Sequence, residues 1–275
     1  IVSIQNYSTN EITNLETIGI PWCGYFANLN WLSDISEKLI DCNQVFNFTR
    51  GERRGWNALF YPALGHNIEA EYIKPILKNL RGTAGLYCTA DAEAFCCSKS
   101  IDELVQLNHT GALEWIRSFE NQNNETGVPL TQSLHKANMF WYEMKTDNMA
   151  DFVANVNYDK SLFIATFNNR SFIDQRMIGL SLKAEFQTED RVLLLALLNS
   201  ILSMFFIESF GFGRGLGALD LRATKFERDF KLLNFQSLSD TQKQAIKNAF
   251  LPISQRNRLP LEQEIEQADR INFER

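Results

Sequence analysis

The chain has 275 residues, 45% of them apolar and 22% charged, which excludes a disordered chain and allows one large core or two modest ones. Its formal net charge of −6 at pH 7 argues against indiscriminate binding to nucleic acid or to an anionic membrane, while leaving room for a local basic face. Five cysteines, Cys23, Cys42, Cys88, Cys96 and Cys97, form an odd set without a C-x-x-C pair, which points to reduced thiols in the cytoplasm rather than a disulfide framework or a zinc site.

The opening stretch IVSIQNYSTNEITN carries neither the basic head nor the apolar run of a secretory signal, and residues 1–43 read as a lead-in segment. Gln44–Thr49 alternates as a strand does, and RGERRGWNALFYP, with two glycines bracketing arginines, reads as a turn between strands. Glu69–Asn79 has the spacing of a short helix, and Gly85–Ser98 reads as a buried strand region. Ser100 and Glu103 form a capping-box pattern ahead of a helix, and Gly111–Asn121 places Leu113, Ile116 and Phe119 on one helical face before the loop NQNNETG. Met139–Tyr142, Phe152–Asn157, Ser161–Phe167 and Ile173–Leu182 are short aromatic and β-branched runs of a meandering sheet, with Asn168, Asn169 and Arg170 in a turn.

Val192–Phe210 reads as one buried helix, because Asn199, Ser200, Ser203 and Glu208 interrupt a segment otherwise long enough to span a bilayer. Gly211, Gly213, Gly215 and Gly217 come after it. A dinucleotide loop places its glycines between a strand and a helix N-terminus, where N–H groups and the positive dipole end meet phosphate. Here they follow a helix C-terminus, whose free carbonyls and negative dipole end repel a pyrophosphate. Ala218–Ala223 then reads as a strand and Asp240–Phe250 as a helix closed by Pro252, while residues 256–275 form a C-terminal helix still running at Arg275. With Ile1 at its start, the chain reads as a fragment of something longer. The pattern is that of an α+β fold, a mainly antiparallel curved sheet flanked by helices, with residues 44–255 as its main domain.

Catalytic patterns are missing. His66, His109 and His135 lie in unrelated contexts without i, i+4 pairing, and the chain has neither a G-x-S-x-G elbow nor a Walker A loop. No metal site is expected.

Several runs carry a resemblance: RGERRGWNALFYP, HNIEAEYIKPILKN, CSKSIDEL before TGALEWI, and above all LLLALLNSILSMFF followed by GRGLGALDLRATKFERDFKLLNF. Together they resemble the target-recognition region of bacterial adenine-N6 DNA methyltransferases of restriction–modification systems. The order helix, glycine-rich loop, strand, short helix, strand is similar to that family's, and PLEQEIEQADRINFER resembles the helix that follows such domains. The resemblance implies a target-recognition-domain-like fold that reads double-stranded DNA for a catalytic methyltransferase domain outside this chain, with no membrane partner. It implies S-adenosylmethionine in the parent protein and no cofactor in this chain, since the family's Asn/Asp-Pro-Pro-aromatic motif has no counterpart here: no Pro-Pro pair occurs. Alternatives are the specificity module of a multi-subunit type I restriction complex, or a free-standing enzyme with an unfamiliar site.

Reading DNA asks for arginines and amides at base edges and for lysines or backbone N–H groups at phosphates. The candidates are Arg50, Arg53, Arg54, Trp56 and Asn57 in one turn, Asn169 and Arg170 in another, and Arg214 with Lys225 around the glycine loop. Lys74, Lys78 and Arg81 follow the first turn. Arg53 and Arg54 are expected at bases or phosphates, Arg170 at a base, Arg214 and Lys225 as phosphate clamps, and Trp56 as a stacking residue or a core tryptophan.

Overall fold

Runs of apolar and small residues buried on both faces, such as Met177–Leu182, build the middle of a mixed sheet. In the computed structural model, which describes residues 7–17, 30–51, 54–145, 149–158, 160–210, 212–213 and 219–275, the strands are, in chain order, Leu39–Asp41 (β1), Phe46–Arg50 (β2), Ile73–Leu77 (β3), Tyr87–Cys88 (β4), Ala92–Phe95 (β5), Met149–Asn155 (β6), Asn157–Tyr158 (β7), Ile164–Ile173 (β8), Met177–Leu182 (β9), Phe212–Gly213 (β10), Leu219–Asp220 (β11) and Lys231–Leu233 (β12). The largest sheet runs β2-β9-β6-β8-β3-β5, with β4 also on β8. Its β2–β9, β9–β6, β6–β8 and β3–β5 pairs are antiparallel, and β8 pairs parallel with both β3 and β4. The class is α+β.

The ladder between β6 and β8 breaks register. Ala150 faces Ser171, but two residues on, Phe152 faces Thr166. Phe167, Asn168, Asn169 and Arg170 therefore stand against Asp151 alone, and the last three are exposed between two buried runs. An insertion of this kind unpairs the extra residues and bends its strand.

Two apolar clusters share the sheet. One gathers Phe46, Phe152, Ile164 and Leu180 with the helix residues Leu193–Leu198, Phe206, Phe226 and Phe250; the other gathers Leu59, Phe60, Tyr72, Phe95, Leu104, Ile116, Leu130, Tyr142 and Phe172. Cys42, Cys88, Cys96 and Cys97 are buried thiols. Burial pushes the Cys88 thiol up to about 12 and the Cys97 thiol up to about 11, which keeps both protonated and unreactive at neutral pH.

Several elements differ from the sequence reading, each for a tertiary reason. Glu69–Asn79 is a single turn, Ala70–Tyr72, followed by β3, because Ile73–Leu77 finds strand partners on both sides. Pro75, which lacks an N–H, is exposed within it. Met139–Tyr142 is not a strand but a bridge and turn, Lys136 pairing with Met139. Pro252 lies inside the helix Asp240–Gln255 rather than ending it. The closing stretch forms two short helices, Leu261–Glu264 and Ala268–Glu274. The capping box at Ser100 and Glu103 is present, with the Ser100 hydroxyl 3.2 Å from the Glu103 N–H and the Glu103 carboxylate 2.7 Å from the Ser100 N–H.

The long apolar helix is also two, Arg191–Leu198 and Ile201–Phe210, bent by 52°. Asn199 causes the break. Its amide donates to the Ile164 carbonyl at 2.8 Å and accepts from the Ile164 N–H at 3.0 Å, so the side chain pairs with β8 as a strand would. Among the described residues, no single helix is long and apolar enough to cross a membrane; the bent pair is so by length and composition only. Leu193–Leu198 is buried throughout, inside the protein.

Arg270 locks that break from the C-terminal side. Its guanidinium is buried and donates to the Asn199 carbonyl at 2.6 Å and to Glu264 at 2.6 and 2.9 Å. Arg256 holds Glu264 through two bonds of 2.8 Å and Asp269 through bonds of 2.7 and 3.2 Å. Burial raises the Glu264 pKa, but the Arg256 and Arg270 bonds outweigh it and hold the carboxyl below its ordinary value; Arg256 does the same for Asp269. Carboxylates depressed on folding contribute stability that is complete above the ordinary carboxylate range, near pH 4 to about 4.5, and lost as pH falls through the lower folded values. Glu274, raised by burial, works in the opposite direction. Acid unfolding followed by circular dichroism is expected to show a steep loss below about pH 4 that flattens in the Glu264→Gln, Asp269→Asn double variant.

Candidate nucleic-acid interface

Polar side chains collect where β2 ends beside the β8–β9 hairpin. Gly51 continues β2 and donates to the Met177 carbonyl at 3.2 Å. A Cβ on Gly51 would stand 2.1 Å from the Asp174 carbonyl oxygen, so only glycine lets the two backbones approach this closely. Arg50, exposed, reaches across the same gap and donates from Nε to the Gln175 carbonyl at 3.0 Å.

The hairpin turn is itself pinned. Asp174 is buried and accepts from the Tyr61 hydroxyl at 2.6 Å and from the Arg176 N–H at 3.1 Å. Burial, together with the Asp174 carboxylate, pushes the Tyr61 hydroxyl well above its ordinary pKa, so it stays a donor. The Lys78 ammonium sits 4.7 Å from the centre of the Tyr61 ring, a cation–π contact. Arg50, Lys78 and Arg176 thus come from three distant parts of the chain to one hairpin.

Beside the hairpin opens a cleft of about 650 Å³ whose polar lining includes Arg54, Asn57, Asn124, Glu125, Thr126 and Gln175, with Trp56 among its apolar residues. Asn124 is committed to its own loop, accepting from the Thr126 and Val128 N–H groups. Trp56 is half-buried against the second apolar cluster, and its buried indole N–H has no partner among the described residues. Asn57 is exposed at the start of the helix Asn57–Phe60.

Arg54 is interior, unlike its exposed neighbour Arg50. It is 6% exposed and donates to the carbonyls of Leu134, Phe140 and Trp141 at 3.2, 3.4 and 2.9 Å, with its guanidinium 5.2 Å from the Phe60 ring centre. Its Nη2 ties the 134–141 stretch to the sheet, and the residue borders the cleft from the interior side. Arg53 and Arg214 lie outside the described residues.

Asn169 and Arg170 fall in the β8 excursion rather than in a turn between strands. Arg170 donates from Nη2 to the Met149 carbonyl at 2.9 Å and keeps Nε 3.6 Å from Asp151. Asp151 is buried and also accepts from the Leu182 N–H at 2.9 Å and from Arg191 at 2.5 Å. Lys225 is exposed on the helix Ala223–Asp229, which packs its Phe226 against Phe48 of β2. Neither Arg170 nor Lys225 lines the cleft. The glycine stretch returns as the β10–β11 hairpin pairing onward to β7, with residues 214–218 outside the described residues.

Gln175 and Arg176 are additions that the sequence reading missed. Their signal is the run Ile-Asp-Gln-Arg-Met, whose Asp174 makes a turn, but in the sequence that run merges into a single strand from Ile173 to Leu182.

No protein-family description and no curated protein matches the chain. Among solved structures, the fold is similar to part of the type IIG restriction endonuclease BpuSI, with a TM-score of 0.58 at 12% identity over 98% of this chain and 32% of that one. The type IIL restriction–modification enzyme MmeI in complex with DNA gives a TM-score of 0.45 at 13% identity over 75% of this chain and 27% of that one. A type I restriction–modification S subunit from M. genitalium gives 0.33 at 13% identity, over 78% of this chain and 38% of that one. The chain thus spans about a third of the length of BpuSI and shares the fold of that part.

Proposed function

We propose that this chain reads duplex DNA within a restriction–modification enzyme, with residues 44–255 as the recognition body. In this reading it positions the duplex for adenine-N6 methylation by an S-adenosylmethionine-dependent domain outside the chain, in the cytoplasm. The observation that carries the reading is the likeness to BpuSI along 98% of the chain, which agrees with the sequence resemblance to methyltransferase target-recognition regions. The register break at the β8 excursion, of the kind that bends a strand, supports a curved sheet. Arg50, Arg53, Asn57, Arg214 and Lys225 serve as DNA contacts, joined by Lys78, Gln175 and Arg176, and Trp56 walls the cleft.

An acidic chain binds DNA only if its cations are grouped, and Arg50, Lys78 and Arg176 are grouped by the hairpin. Titration of the full chain with short duplexes at rising salt is the test. Affinity is expected to fall linearly on a log–log plot. The Arg50→Ala, Arg176→Ala variant should weaken binding to every sequence and reduce the slope by about 2, because each arginine removed leaves one phosphate un-neutralised. Absence of duplex binding at low salt would sink the reading, and tight binding of S-adenosylmethionine by this chain alone would favour a free-standing enzyme.

A further inference from the structure

The exposed stretch in the middle of β8 is out of place for an ordinary sheet residue run. Ile164–Phe167 and Ser171–Ile173 are buried on either side, and the sheet accommodates Asn168, Asn169 and Arg170 only by breaking register opposite Asp151. Core packing gains nothing from this, since all three side chains face solvent.

The excursion is nonetheless braced. Arg170 is bonded to the Met149 carbonyl and lies beside Asp151, and Asp151 is fixed in turn by Arg191, at the start of the helix Arg191–Leu198, and by the Leu182 N–H. Three elements, β6, β9 and that helix, thus hold one guanidinium. The adjacent amides are left open: among the described residues, no hydrogen bond engages the Asn168 or Asn169 side chain. A pair of free amides on a braced protrusion is what reading a base edge requires, because an amide offers a donor and an acceptor together, and preorganisation spares the cost of ordering the loop on binding.

We propose that Asn168 and Asn169 determine base specificity, reading the major-groove edge of adenine in an A·T pair, and that Arg170 is a positioning residue that holds them in place. This rests on the reading of the chain as a DNA-recognition unit. It revises the expectation that Arg170 itself reads a base: its Nη2 is committed to Met149 and its charge to Asp151. Adenine is the partner because its N7 acceptor and N6 donor match a side-chain amide in a bidentate pair.

The test is selection of bound duplexes from a randomised pool by the full chain, followed by competition titrations. Wild type is expected to require an A·T pair at one or more positions. Asn168→Ala and Asn169→Ala, exposed substitutions that should leave thermal unfolding unchanged, are expected to reduce discrimination there by about tenfold to a hundredfold, the range set by one bidentate pair, while binding to unrelated duplexes stays the same. Asn169→Asp, an acceptor without a donor, should move the preference toward cytosine. Arg170→Ala, which frees the asparagines from their brace, should lower discrimination at the same positions without altering which base is preferred, while binding to unrelated duplexes stays the same. Wild-type binding with unchanged preferences in the asparagine variants would overturn the proposal and leave the DNA-recognition reading standing. A change of preferred base in Arg170→Ala would overturn the division of roles, and failure of wild type to bind any duplex would remove the reading on which both rest.

Discussion

Arg270→Ala is expected to cost about 3–5 kcal/mol of folding stability, the penalty of removing one partner from a buried ion pair, and to lower Tm by on the order of 10 °C for a chain of this size. Arg270 is 2% exposed and Glu264 5%, so alanine leaves Glu264 with Arg256 as its remaining partner and the Asn199 carbonyl without its donor. That carbonyl lies at the bend between Arg191–Leu198 and Ile201–Phe210, so the loss spreads from the C-terminal helices into the larger apolar cluster. Urea unfolding measures it. Replacing Arg270 and Glu264 together by methionine should be milder than Arg270→Ala, because it removes the buried carboxylate along with its partner and fills the space with apolar groups of similar volume. If Arg270→Ala unfolds at the wild-type urea concentration, the network contributes nothing to holding the bend.

Gly51→Ala is the second large effect, and it joins stability to function. The new methyl would stand 2.1 Å from the Asp174 oxygen and 2.3 Å from the Asp174 carbonyl carbon. Both are backbone atoms, and the turn they belong to is held by Tyr61, so nothing can rotate aside. The expected cost is about 3 kcal/mol, the upper part of the usual range for overpacking. Relief requires the end of β2 to move away from the hairpin, which breaks the Arg50 bond to Gln175 and disperses the cations that the hairpin gathers. DNA affinity should therefore fall in Gly51→Ala even under conditions where it remains folded. Gly65→Ala is the control for a general glycine effect: Gly65 has φ +91° but open space around it, so it is strained locally and touches no site residue. Equal DNA binding by Gly51→Ala and wild type would show that the close approach does not organise the interface.

Much of the secondary structure was legible because its causes are local. The capping box at Ser100 and the amphipathic helix Thr110–Glu120 follow from side chains three and four residues apart. Strand segments within 149–182 follow from apolar runs and alternation. Where the local signal misled, a distant partner had decided. Glu69–Asn79 has helical spacing, yet β3 gains ladder bonds from β5 and β8. Asn199 is a polar interruption in the sequence, and only the Ile164 backbone makes it a bend.

The candidate site divides in the same way. Arg50, Asn57, Lys225 and Asn169 are exposed as their polarity suggested. Arg54, indistinguishable from Arg50 by residue type, is interior because three carbonyls at residues 134, 140 and 141 converge on it.

By itself, then, the amino-acid order determined the mixed α and β character of the chain, its capped helices and the reversed polarity of its glycine run, since each depends on neighbours within a few residues. Which arginines face solvent, that Gln175 and Arg176 join Arg50, and that Asn168 and Asn169 stand free on a braced excursion were decided only by the tertiary structure. The physical reason is that a buried charge must find its partners wherever the chain brings them: Asp151 and Asp174 are fixed by groups from other strands and helices, and the side chains left over at those junctions are the ones available to a ligand.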